Sequence, residues 1–216
     1  MWPSDQVPCG QMPLNDQGEC GERVAPSRQA VNIATGLAGG LPYQAWAAEV
    51  VKQRARTAGR DDPHTHCMPS NFPRLFTLPH ITKFAQNPGL LILLNDYNAS
   101  YRQIFTDGRA LPEDPQPSWS GYSSGNWEGD TWVVQTNGFR DDLWLDTAGN
   151  LMTSAAKVTE RFRRPSFGSL EIQAAVDDAK TYTKPWTVDM KMHIVLDTEL
   201  LDEICLEDEK SVQHIK

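Results

Sequence analysis

From residue 80 onward, apolar and polar positions alternate in short runs. In Trp186-Thr187-Val188-Asp189-Met190-Lys191-Met192-His193 every second side chain is apolar, and Leu170, Ile172, Ala174 and Val176 alternate with Glu171, Gln173 and Asp177. Successive side chains of a strand point to opposite faces, so this period sets one sheet face in a core and the other in water. Similar runs occupy residues 80–86, 90–96, 100–106, 119–128, 131–137, 155–164, 169–177, 185–196 and 199–206. Asn87-Pro88-Gly89, Asn98-Ala99, Asp107-Gly108, Gly129-Asp130, Thr147-Ala148-Gly149-Asn150 and Ser166-Phe167-Gly168 separate them, and such residues tolerate the positive φ of tight turns. Trp127-Glu128-Gly129-Asp130-Thr131-Trp132 is the clearest two-residue hairpin.

The period changes to that of a helix in one place. Pro42 opens a stretch in which Ala45, Trp46, Ala47, Ala48, Val50 and Val51 supply an apolar face up to about Thr57, before Gly59. Residues 1–40 are broken by Pro3, Pro8, Pro13 and Pro26 and read as an irregular N-terminal arm; residues 41–216 read as a single β-barrel domain. The expected class is mainly β, an antiparallel up-and-down β-barrel of about eight or nine strands with one short helix. Such an interior either packs solid or holds one small ligand.

Composition narrows the function classes. The 216 residues, 39% hydrophobic and 22% charged, suffice for one well-buried core and are too apolar for general disorder. A net charge of −8 repels phosphate backbones. The densest basic cluster, Arg161, Arg163 and Arg164, reads as a solvated strand face, so nucleic acid is not an expected partner. The longest apolar run, Leu90–Leu94, is far short of the about 20 residues of a membrane helix. Met1-Trp2-Pro3-Ser4-Asp5 has neither the basic nor the apolar region of a secretory signal, which suits a cytoplasmic protein or a mature exported one. Four cysteines, two of them in the Pro/Gly-rich arm, favour disulfides and hence a periplasmic or secreted location. Three connectivities are open; Cys9–Cys20 with Cys67–Cys205 is the expected one.

The residue that most violates its pattern is Glu160. In Val158-Thr159-Glu160-Arg161-Phe162 it shares the inward parity of Val158 and Phe162, and a carboxylate there needs a partner. Arg102 shares the parity of Ile104, so the two are expected to meet inside the barrel, either to bind or polarise a ligand or as a buried structural ion pair. His66 is placed at the pocket mouth and completes a catalytic set of Glu160, Arg102 and His66. Asp96, Tyr97 and Tyr101 flank the Asn98 turn, Trp144 and Asp146 follow the Gly138 turn, and these with Trp186 form the expected ligand-binding set. The His64-Thr65-His66-Cys67 loop has two imidazoles at ligand spacing, with His80, His193 or His214 as distant completions. No third ligand is local and Cys67 is assigned to a disulfide, so no metal is expected. There is no Gly-x-Ser-x-Gly elbow; Gly36, Gly39 and Gly40 make no phosphate loop, and no organic cofactor is expected.

Tyr101-Arg102-Gln103-Ile104-Phe105-Thr106-Asp107-Gly108-Arg109, Gly121-Tyr122-Ser123 with Gly125-x-Trp127-Glu128-Gly129-Asp130-Thr131, Lys157-Val158-Thr159-Glu160-Arg161-Phe162-Arg163-Arg164 and Tyr182-Thr183-Lys184-Pro185-Trp186 together resemble a family of soil-bacterial proteins over residues 36–214. No settled activity attaches to that family. Its members usually carry export signals, so the resemblance implies a periplasmic home. A looser similarity, through Gly125-x-Trp127 and the hairpin order, is to lipocalin- or calycin-like barrels. The expectation is a protein that binds a small, largely hydrophobic molecule among a few inward polar residues. The alternative is a cofactor-independent acid–base enzyme, an isomerase, cyclase, lyase or hydrolase, acting on such a molecule.

Overall fold

The structure, a computed structural model, describes residues 2–3, 28–69 and 71–208. Nine strands form one sheet whose spatial order is the chain order. They are β1 (Trp2–Pro3), β2 (Ile81–Asn87), β3 (Leu90–Asn95), β4 (Tyr101–Phe105), β5 (Tyr122–Glu128), β6 (Thr131–Asn137), β7 (Lys157–Ser166), β8 (Ser169–Asp177) and β9 (Trp186–His193). The sheet is mainly antiparallel and curls into a half-barrel, the class that the alternation predicts. Positive φ is supplied by Gly89 in the turn between β2 and β3 and by Gly129 in the turn between β5 and β6.

Two details depart from an ideal up-and-down barrel. β4 and β5 pair in parallel, Ile104 opposite Ser123, because residues 106–121 cross back instead of turning tightly. Pro112, Pro115 and Pro117 in that crossing cannot donate to a ladder. The cylinder is also not closed by hydrogen bonds: β1 lies beside β9, and no ladder joins them among the described residues. The last expected strand, 199–206, is instead a single pairing of Glu203 with Tyr97 followed by a helical turn, α4 (Cys205–Asp208).

Strand parity reads through directly. Inward Trp186, Val188, Met190 and Met192 of β9 oppose Val176, Ala174, Ile172 and Leu170 of β8, all buried. The concave side is filled from within by a short helical turn, α3 (Arg74–Thr77). Its Leu75 and Phe76, with Phe72, are each 1% exposed, and Phe76 meets Phe162 edge-on at 5.8 Å. The one longer helix, α2 (Ala45–Arg56), buries Ala47 and caps the end of the half-barrel where β8 turns into β9. Gln44 N–H donates to the carbonyl of Thr181, and the Trp46 indole N–H to that of Lys180. Residues 28–40 pack onto the same body: α1 (Arg28–Val31) buries Ala30, and Ile33 is fully buried. No helix is long and apolar enough to cross a membrane among the described residues.

A disulfide joins Cys67 to Cys205; Cys9 and Cys20 lie outside the described residues.

Candidate functional site

The open end of the concave face, opposite α2, holds a cavity of about 870 Å³. The β2–β3, β5–β6 and β7–β8 hairpins project around it. Its wall is apolar: Phe84 and Leu91 from β2 and β3, Trp127 and Trp132 from β5 and β6, Phe162 and Leu170 from β7 and β8. Gln86, Asn126, Asp130 and Arg164 place polar groups at its rim. Every wall residue has the inward parity of its strand. Gly125 makes the shape possible, because a Cβ there would lie 3.0 Å from the indole of Trp132, which now crosses the glycine and forms the wall. Trp132 in turn tilts on Phe162, ring centroids 5.3 Å apart.

One inward position deeper on β7 is Glu160, and on β4 Arg102, 0% and 1% exposed. They meet as parity predicts, in a bidentate pair. Arg102 Nη1 donates to Glu160 Oε1 at 2.9 Å, and Nη2 donates to Oε2. The remaining donors are satisfied as well: Arg102 Nε donates to Ser123 Oγ at 3.2 Å and Nη2 to Thr136 Oγ1 at 2.8 Å. Ser123 and Thr136 hydroxyls bond each other at 2.9 Å. Four strands thus converge on one sealed polar layer, the arrangement that makes a buried charge pair tolerable. It sits beneath the cavity wall and does not open into the cavity.

The other sequence-expected residues go elsewhere, and none of the nine lines the concave cavity. His66 and Trp144 share a second, shallower groove of about 830 Å³ beside α2, with Arg54, Asp61, Trp119, Arg140 and Asp142. There His66 Nε2 donates to the Arg60 carbonyl at 2.8 Å, and the Arg54 guanidinium lies 4.7 Å over the Trp144 ring. Burial lowers the Arg54 pKa from its ordinary value. Asp146 is a fully buried clamp: Oδ2 accepts from Ile33 N–H at 2.6 Å and Oδ1 from Asn150 N–H at 3.2 Å, which ties the N-terminal segment to the 143–151 loop. Burial raises its pKa despite those donors. Tyr101 is outward and 60% exposed, and Trp186 stands edge-on to Tyr182 in the core, 5.5 Å between centroids.

Asp96 and Tyr97 do come together, with partners that parity could not show. Asp96 Oδ2 accepts from Ile81 N–H at 3.0 Å, Tyr97 OH donates to the His64 carbonyl at 2.9 Å, and the Tyr97 ring stacks on the His64 imidazole at 4.1 Å. Burial, with Arg74 next in effect, pushes the His64 pKa down to about 3, so its ring is neutral near pH 7.

The cavity residues missing from the expected set carry a weak signal. Phe84, Leu91, Phe162 and Leu170 look like any core side chain, since parity fixes a face and not a depth. Gly125-x-Trp127 is the available clue, a glycine two residues from an aromatic that pairs with Trp132 across the hairpin, so that the Trp132 ring can lie diagonally over the glycine. Compared with protein-family models, curated proteins and solved structures, the chain matches none.

Proposed function

We propose that this chain binds a small, largely hydrophobic molecule in the concave cavity. The observation that carries the proposal is the cavity itself. Its volume of about 870 Å³ falls within the about 300–1,000 Å³ of ligand pockets, and its apolar wall ends in a few polar rim groups. A molecule with an apolar body and one polar or anionic end suits Trp132 and Phe162 at depth and Arg164 at the rim. The Cys67–Cys205 bond supports an oxidising compartment, periplasmic or secreted, as the place where this happens.

The alternative, cofactor-free acid–base catalysis, draws on Glu160, the carboxylate one inward position below Phe162. Its oxygens are held by Arg102, so binding is the preferred function. The test uses 1-anilinonaphthalene-8-sulfonate as probe, with native mass spectrometry of the purified protein for any co-purifying molecule. We expect saturable, single-site binding with blue-shifted emission. Gln86→Trp, at the exposed rim, should fill the cavity and weaken that binding at least tenfold without changing the far-ultraviolet circular dichroism. Binding that never saturates, or that Gln86→Trp leaves intact, rejects the cavity as the site. Turnover of a captured molecule that Glu160→Gln abolishes, with the far-ultraviolet circular dichroism and dye binding kept, would favour the enzyme instead.

A further inference from the structure

At the other end of the β2–β3 hairpin from the cavity, three side chains converge from three separate parts of the chain. His80 precedes β2, Asp96 follows β3, and Glu203 comes from the C-terminal segment; one ligand atom of each lies within 4.8 Å of the other two. His80 Nδ1 is 3.5 Å from Asp96 Oδ1 and 3.5 Å from Glu203 Oε2. Both separations exceed a hydrogen bond. They are close to the about 3.3–3.4 Å edge of a tetrahedron whose ligands stand 2.0–2.1 Å from a central ion.

We propose that His80, Asp96 and Glu203 bind a divalent first-row transition-metal ion, with Zn²⁺ as its probe. One imidazole and two carboxylates are borderline-hard donors that suit such ions, whereas Mg²⁺ prefers an all-oxygen octahedron. The site is fixed in advance on two of its three sides. Asp96 is oriented by the N–H groups of Ile81 and Tyr97, which donate to Oδ2 at 3.0 Å and Oδ1 at 2.8 Å. Oxygens so anchored keep further lone pairs for a metal, the outer-shell arrangement that holds ligating carboxylates in place. Glu203 is delivered by its own backbone: its N–H donates to the Asp96 carbonyl at 2.9 Å, its carbonyl accepts from Asn98 N–H at 2.5 Å, and Cys205 bonds to Cys67 two residues later.

Beside the trio stands a second imidazole. The His64 ring lies 6.2 Å from that of His80, and its buried Nδ1 has no hydrogen-bond partner. The side chains of His80 and Asp96 are 15% and 17% exposed and that of Glu203 is 53% exposed, so an ion can enter from the Glu203 side. Three protein ligands leave at least one position for water or another small donor. Two imidazoles of the His64-Thr65-His66 loop are the sequence pattern for a metal here, but His66 bonds to Arg60 and takes no part.

The experiment is calorimetric titration of the full chain, stripped with chelator, with Zn²⁺ and separately with Mg²⁺. One equivalent of Zn²⁺ should bind with no comparable Mg²⁺ response. His80→Ala and, separately, Glu203→Gln should each weaken the binding at least tenfold, while His66→Ala leaves it unchanged. Glu203→Gln changes an exposed side chain and keeps its backbone pairing, so it reports on the site even if His80→Ala perturbs folding. The Cys67→Ser/Cys205→Ser protein should also bind more weakly, because Glu203 is no longer held. No saturable uptake would overturn the site and leave an imidazole between two carboxylates. So would uptake that survives Glu203→Gln. Because the cavity lies at the opposite end of the hairpin, either result leaves the dye-binding experiment unaffected.

Discussion

Among single residues, the sharpest energetic statement concerns Arg102 and Glu160. Both are removed from water, both are satisfied, and the layer that satisfies them draws one side chain each from β4, β5, β6 and β7. Removing one partner strands the other as an uncompensated buried charge, which costs about 3–5 kcal/mol. Replacing both by apolar residues of similar volume removes that penalty, and such replacements are often neutral or stabilising. Glu160→Gln is therefore expected to lower the urea midpoint markedly, and Arg102→Met with Glu160→Leu to recover most of the loss. If the double replacement is as unstable as the single ones, the layer matters through packing and not through charge. Sequence parity found this contact across 58 positions because each residue violated the pattern of its own strand in the same sense. Asp146 reads only as a polar residue after the Gly138 turn, and its partners, the backbone N–H groups of Ile33 and Asn150 and the Asn150 side-chain amide, are not encoded by a strand pattern.

At the scale of elements, strand limits were legible because turn chemistry and the two-residue period agree over most of 81–193. β6 runs Thr131–Asn137 and β8 runs Ser169–Asp177, as the alternation indicates. The parallel entry of β5 was not legible, since hydrophobic rhythm says nothing about strand direction. It depends instead on Gly121, whose φ is +66° and where a Cβ would lie 2.6 Å from the Asn137 carbonyl and 2.7 Å from Thr136 Cγ2. The chain passes flat against β6 there before Tyr122 starts pairing. Gly121→Ala combines a strained backbone with a clash against main chain that cannot move aside, and should destabilise by about 1–3 kcal/mol. Gly129→Ala is the companion measurement: its φ of +63° imposes similar backbone strain, but no atom lies within 4 Å of the added Cβ. Thermal unfolding of the two should separate the strain, common to both, from the clash, confined to Gly121. Equal losses would remove the close approach as the reason for glycine at 121. The cavity depends on the same kind of information. The hairpin register sets Gly125 opposite Val134 with Trp132 on the diagonal, so the indole's reach over Gly125 is only partly legible, and the depth of Phe162 relative to Glu160 requires the curl of the whole sheet.

For the molecule as a whole, an open half-barrel has a seam, and the chain's own ends attend to it. β9 finishes at His193 near the open end, and Ile194 N–H donates to the Gly168 carbonyl of the β7–β8 turn. Glu203 pairs with Tyr97 at the capped end, so residues 194–203 run from the open end of the half-barrel to the capped end before Cys205 bonds Cys67. This segment contributes few buried side chains; Leu196 and Leu201 are 60% and 73% exposed. Its docking therefore depends on backbone pairing and the disulfide more than on apolar burial. The bond spans 138 residues, and the chain-entropy argument assigns a loop of that length about 5 kcal/mol, with about 2–5 kcal/mol usual for loss of a native disulfide. Cys67→Ser/Cys205→Ser should lose stability in that range by denaturant titration. The loss should also be uneven. β5 to β8 are each paired on both sides, whereas β1 and β9 flank the seam. Amide exchange in the double variant should therefore accelerate first along β9, residues 95–100 and 194–205, with β6 and β7 retaining their protection. Uniform acceleration across the sheet would instead mean that the disulfide acts only on the unfolded chain. Protection lost at the margin alone would make the C-terminal segment a clasp, the structural element that replaces the missing ladder between the first strand and the last.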